Sequence, residues 1–185
     1  MNRFRLLLSK IYRFFFPIDE ATKYKRMGVK IGENCSIQNE VMIDYSHYWL
    51  ITIGNNVTLA PRVHILAHDA STKKVLGYTK IGKVVIEDNV FIGAGAIVLP
   101  GVKVGANSIV GAGSVVSTDV PECSVAVGCP AKVICSVNEY YERQKAKMCV
   151  ENCFDESFTL KGGVTSDKKA KMIEVVDKYK CAFVK

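Results

Sequence analysis

The sequence predicts an all-β domain wound as a parallel, three-sided coil, on three observations. Aliphatic residues recur every six positions in sets of three: Ile31, Ile37 and Ile43; Ile53, Leu59 and Ile65; Ile86, Ile92 and Val98; Val104, Val110 and Val116. A compact residue stands four positions after nearly all of them, as at Cys35, Val41, Val57, Val63, Val90, Ala96, Val102, Ser108, Ser114 and Val120. Gly or Asn falls in the intervening turns, as in IGNN, IGAG and VGAN, where a left-handed backbone is needed. A helix requires apolar spacing of three and four, and a half-buried strand spacing of two, so a period of six fits neither. It fits one flat side of a coil with about 18 residues per turn, stacked at the strand spacing of ~4.8 Å so that each backbone group pairs with the turn above or below.

Taken in order, residues 1–27 open with MNRFRLLLSKIYRFFFP. Phe4, Leu7, Leu8, Ile11 and Phe15 share one helical face, with Arg3, Lys10 and Arg13 off it, so an amphipathic helix ending at Pro17 is expected. It either caps the core or offers a peripheral contact to a membrane surface. Ser9, Lys10 and Arg13 interrupt the apolar runs, which excludes a membrane span or signal peptide there. The coil occupies 28–135. Its lattice breaks twice: the step from Ile43 to Ile53 is ten, and that from Ile65 to Ile86 is 21. Both breaks follow the third member of a set, so both loops, at 44–52 and 66–85, leave the same corner, one above the other. A coil with no other cavity builds its site from such loops. Residues 136–185 form a C-terminal helical appendage: NEYYERQKAKM reads as a helix suited to covering the open strand edge, 149–166 as irregular, and Ser166–Tyr179 as a second helix.

Composition narrows the function classes. With 49% apolar and 23% charged residues in 185, the chain is an ordinary globular protein, and its formal charge of +7 suits an anionic partner. The basic residues are spread over termini and loops without a nucleic-acid-binding motif, so no nucleic acid is expected. Seven cysteines without a C-x-x-C pair indicate neither a zinc site nor a disulfide framework, and point to a reducing, cytoplasmic setting.

The runs IGNNVTLAPRV, FIGAGAIVLPGVKVGANSIVGAGSVV and VGCPAKVI resemble the hexapeptide-repeat acyltransferases, in particular the maltose and galactoside O-acetyltransferases and the xenobiotic acetyltransferases. The resemblance implies a left-handed parallel β-helix, a homotrimer with an acyl-CoA cleft between subunits, and acetyl-CoA as co-substrate with no resident cofactor or metal. Its catalytic base is a His just beyond an I-A-P-x-V-x-I run, which LAPRVHILAH supplies as His68, offset by one and flanked by Ala67 and Asp69 instead of G-H-P. Asp69 or Asp44 is then the residue to orient His68, and each is equally a turn former. The oxyanion donor falls at the backbone of Ala94 in FIGAG. Asp44, His47, Trp49 and Phe91 are candidates to bind the acceptor, and Ala94, Ala112, Ser117 and Lys132 to bind the coenzyme. Phe91 stands where sugar acetyltransferases tend to have Trp, and Cys135 where a second basic residue often lies.

The activity implied is transfer of an acetyl group to a hydroxyl of a sugar or cell-surface polysaccharide precursor, by direct attack with a His base. A carbonic anhydrase-like metalloenzyme on the same coil would need His47, His64 and His68 together, and IGNNVTLAP carries no His where its first ligand belongs. A catalytically dead trimeric scaffold would have no use for His68 with GCPAK.

Overall fold

The computed structural model describes residues 19–185, so the amphipathic helix expected to end at Pro17 lies outside the described residues. The described chain divides after Val137 into two compact units.

In the first unit, two- and three-residue strands stack into three parallel sheets, one per side of the coil. The first face holds Lys30–Ile31, Ile51–Ile53, Val84–Ile86 and Lys103–Val104. The second holds Ser36–Ile37, Thr58–Leu59, Phe91–Ile92 and Ile109–Val110, and the third Met42–Ile43, His64–Ile65, Ile97–Val98 and Val115–Val116. Register follows the six-residue lattice: Ile31, Ile53, Ile86 and Val104 lie one above another, as do Ile37, Leu59, Ile92 and Val110, and Ile43, Ile65, Val98 and Val116. Ile53 to Val116 of that lattice are buried, and the compact residues from Val57 to Val120 fill the corners between them. Ile31 and Ile37, in the first coil, are only partly buried, as no further coil among the described residues stacks on them.

The corners are held by two devices. After the first face, Asn34, Asn56, Asn89 and Asn107 take the left-handed conformation, with φ of 56, 54, 58 and 57°. Three of them form a side-chain ladder, Asn56 Nδ2 donating to Asn89 Oδ1 (3.0 Å) and Asn89 Nδ2 to Asn107 Oδ1 (3.1 Å). Gly54 and Gly105 are required for a different reason, since a Cβ there would lie 2.8 Å from Asp88 N and 2.4 Å from Glu122 N of the next coil. The coils approach too closely for any side chain at those points.

The fold is not purely β. Helix α1, Glu20–Met27, precedes the first coil, capped by Asp19, whose carboxylate accepts from Thr22 N–H, and closed by Gly28 at φ 101°. Its buried Tyr24 donates from its hydroxyl to Val41 O (2.6 Å), which seats the helix against the second coil corner. Sequence reading placed no separate helix here, although Asp19 and Gly28 are a standard start and stop signal. A short helix α2, Lys73–Leu76, lies in the long loop. At the far end of the coil, Ser124–Val127 joins the second face and pairs antiparallel with Lys132–Ser136.

Helix α3, Val137–Lys145, leads into the second unit, Asn138–Lys185, which contains helix α4, Ser166–Tyr179, N-capped by Thr165. The segment read as irregular is partly ordered: Cys153–Phe154 pairs with Phe183–Val184, and two 3₁₀ turns, Val150–Asn152 and Glu156–Phe158, flank it. Asn152, fully buried, organises it by accepting from Cys149 N–H (2.7 Å) and donating to Lys147 O (2.8 Å). Side-chain capping of this kind leaves no periodic trace in sequence. No helix among the described residues is long and apolar enough to cross a membrane.

Candidate active site

Both loops leave the corner after the third face, as the broken lattice requires. The shorter continues from Ile43 through a 3₁₀ turn, Tyr48–Leu50, and rejoins the first face at Ile51. The longer forms a small antiparallel hairpin of His68–Asp69 with Lys80–Ile81. Asp44, one residue beyond the inward Ile43, ties the two loops together. Its Oδ1 accepts from Ser46 N–H (2.9 Å) and His47 N–H (3.2 Å) of its own loop, and its Oδ2 from Ala67 N–H (3.0 Å) of the loop above. The same Oδ2 accepts a hydrogen bond from His68 Nδ1. The Asp44 side chain is fully buried and that of His68 about one-third exposed.

This environment fixes the charge of Asp44. Burial pushes its pKa up, but bonds from the His68 ring and from the backbone N–H groups of Ala67, Ser46 and His47 outweigh that, holding the carboxyl below its usual range. A carboxylate only accepts, so the His68 nitrogen facing it carries the proton, and Nε2 keeps its lone pair. Asp44, which sequence reading weighed evenly against a turn former, is both a turn former and the partner of His68. Asp69 is not that partner: its exposed carboxylate accepts from Ser71 N–H (2.9 Å), a contact that with the Ser71 side chain lowers its pKa.

The His47 ring lies tilted beside this pair, 5.3 Å from that of His68 and 5.3 Å from that of Trp49. His47 Nδ1 is buried without a hydrogen-bond partner, a feature no sequence pattern could have signalled. Trp49 and Tyr45 are largely exposed, and the Trp49 ring gives the short loop an aromatic surface beside His47. His64 lies on the third face in register with Met42 and Ile97, and stands outside the group formed by Asp44, His47 and His68. The three histidines therefore do not converge.

The remaining predicted residues lie elsewhere on the coil. Ala94 and Ala112 sit one above the other at the corner between the second and third faces, Ala94 O accepting from Gly113 N–H (2.8 Å). The N–H groups of Gly93 and Gly95 are taken by Val110 O and Pro61 O, while that of Ala94, on an exposed residue, makes no backbone bond among the described residues. Phe91, 44% exposed, lies outward on the second face. Ser117 follows the last strand of the third face, and Lys132 begins the second strand of the closing hairpin; both are exposed. One chain thus carries His68 and Ala94 on different corners.

Comparison with known proteins agrees with this architecture. The family model for the bacterial transferase hexapeptide (six repeats) matches residues 83–118. The galactoside O-acetyltransferase of Lactococcus lactis is 37% identical over 147 residues, covering 66% of this chain and 70% of the relative. That of Escherichia coli is 31% identical over 139 residues, covering 62% and 67%. Among solved structures, a maltose O-acetyltransferase from Clostridium difficile superposes with a TM-score of 0.51 at 31% identity, over 71% of this chain and 85% of that one. A hexapeptide-repeat acetyltransferase from Vibrio cholerae, solved in complex with acetyl coenzyme A, does so with a TM-score of 0.50 at 25% identity, over 67% and 81%. The chain belongs to the hexapeptide-repeat acetyltransferases. The parallel three-sided coil described above fits the left-handed β-helix expected of that family.

Proposed function

We propose that the protein transfers the acetyl group of acetyl-CoA to a sugar hydroxyl, with His68 as general base and Asp44 as its positioning residue. The observation that carries this is the buried Asp44 carboxylate bonded to His68 Nδ1 at the corner where both loops emerge. Asp44 keeps the proton on Nδ1, so Nε2 faces the acceptor with its lone pair free. The acceptor hydroxyl gives its proton to Nε2 as its oxygen attacks the thioester carbonyl. The C–S bond of the tetrahedral intermediate then breaks, and the imidazolium returns the proton to the departing thiolate. No covalent enzyme intermediate is needed.

The negative charge on the intermediate calls for a donor, and the exposed Ala94 N–H is the candidate. Because His68 and Ala94 occupy different corners of one chain, a complete site needs His68 of one copy beside Ala94 of another, which a closed trimer would provide. Coenzyme would then run along the later coils, past Ala112 and Ser117, with Lys132 toward its phosphates. The relatives named as galactoside and maltose O-acetyltransferases favour a sugar acceptor, as does the exposed ring of Trp49 beside His47, since aromatic faces suit the apolar side of a pyranose. The carbonic anhydrase-like reading lacks its three-histidine site, because His64 stands apart from the group formed by Asp44, His47 and His68.

The test is to incubate the protein and its His68→Ala variant with acetyl-CoA and a panel of galactosides, maltose and polysaccharide precursors, and to read acetylated products by mass spectrometry. Product from the wild type, with turnover reduced on the order of 100-fold or more in the variant at retained CoA binding, is the expected outcome. Equal rates would reject His68 as base, and no sugar product from either would reject the acceptor class.

A further inference from the structure

We propose that Asp44, His47 and His68 form a binding site for a divalent transition-metal ion of the zinc class, and that its occupancy switches the base off. Each residue offers one ligand atom, and the three atoms lie within 4.8 Å of one another. Two imidazoles and a carboxylate are a donor set suited to zinc or its first-row neighbours, whereas magnesium and calcium prefer oxygen alone. His47 Nδ1 is buried and unpartnered beside the other two residues, a state that normally costs free energy and that a metal bond would relieve. The carboxylate is already oriented by the N–H groups of Ser46, His47 and Ala67, the outer support that a ligating carboxylate requires. Tetrahedral zinc with bonds of about 2.0–2.2 Å sets its ligand atoms about 3.4 Å apart, so the widest pair closes by at most about 1.4 Å, while the hydrogen-bonded Asp44 Oδ2 and His68 Nδ1 move apart as the ion replaces the proton between them. His47 immediately precedes the single 3₁₀ turn Tyr48–Leu50, and that loop segment is where the adjustment would fall.

The inhibitory consequence follows from the proton balance on His68, and this part alone rests on the assignment of His68 as base. In the metal-free pair, Nδ1 carries the proton given to Asp44 and Nε2 is free. When the ion takes His68 Nδ1 and Asp44 Oδ2, the neutral ring must carry its proton on Nε2. The ring loses no net proton, but the lone pair that accepts the hydroxyl proton is gone. His47 binds through Nδ1 with its own proton on Nε2, and water fills the fourth position.

The experiment titrates the full-length protein with Co²⁺, whose visible ligand-field bands report tetrahedral nitrogen and oxygen coordination, and then with Zn²⁺ in competition. His47→Ala, His47→Gln and, outside the cluster, His64→Ala are titrated in parallel. The described cysteines are all free, so thiolate binding must be told apart by its intense near-ultraviolet charge-transfer band. Expected is one ion per chain without that band, displaced by Zn²⁺, lost in both His47 variants and retained in His64→Ala. Acetyl transfer by the wild type should fall at least 10-fold at saturating Zn²⁺ and return on chelation. No ligand-field spectrum, a thiolate band at the tight site, or a spectrum unchanged in both His47 variants would overturn the site. Binding as described without loss of transfer would overturn the switch. Because the spectrum does not depend on catalysis, failure of the His68 base would leave the metal site readable.

Discussion

At the scale of single residues, Asp44 holds the proposed site together, and two measurements expose it. Asp44→Asn keeps the shape but presents an amide where a charge faced His68 Nδ1, so both the favoured tautomer and the stabilisation of the imidazolium weaken. Turnover should drop on the order of 100-fold or more with CoA binding unchanged. The folded-state pKa of Asp44 lies below that of free aspartate, near 3.9. Its contribution to stability is therefore complete above about pH 4 and lost as pH falls through the lower folded value. In denaturant unfolding, the deficit of Asp44→Asn relative to the wild type should be largest at neutral pH and shrink in strong acid. Of these residues, His68 was legible because it sits at a motif position just past the broken lattice. The choice between Asp44 and Asp69 was not, because both read as turn residues, and only the stacking of two coils brings Asp44 beneath Ala67 and His68.

Among elements, the coil was the most legible part of the molecule, since every inward residue of every strand repeats the same environment at a fixed spacing. Leu59 shows the energetic weight of one lattice point: it is fully buried between Ile37 and Ile92. Leu59→Ala should destabilise by about 2–5 kcal/mol, read as a lowered denaturation midpoint at unchanged slope. The corners obey a harder constraint. A Cβ at Gly93 would lie 2.5 Å from Ala112 N. Gly93→Ala should therefore separate the coils at the corner carrying Ala94, lowering both stability and transfer, whereas Gly95→Ala, at φ 68° with open space around it, strains the backbone alone. Helix α1 and the pairing around Asn152 escaped the sequence reading because each depends on a few side-chain caps, with no repeat to amplify the signal.

For the whole molecule, the separation of His68 and Ala94 onto different corners makes the proposed assembly testable by complementation. His68→Ala and Ala94→Pro, the latter removing the N–H, should each be inactive as pure assemblies. Unfolded together and refolded at equal amounts, they should recover about one quarter of wild-type activity, the chance that an intersubunit site draws its His and its N–H from intact copies. Recovery of none, with both variants folded by circular dichroism, would show that each chain builds its own site.

The repeating rungs have one more consequence. Each lattice face advances by one strand spacing of about 4.8 Å per coil, so the stack works as a graduated scale on which every functional residue has a fixed height. The Asn56, Asn89 and Asn107 ladder marks successive graduations. Residues may be inserted at the loop corner, as happens twice, without moving any mark on the scale. Whole coils, by contrast, may be added or removed only in complete steps, so the reach from the His68 corner to the closing Ser124–Val127 hairpin can change only in units of one rung.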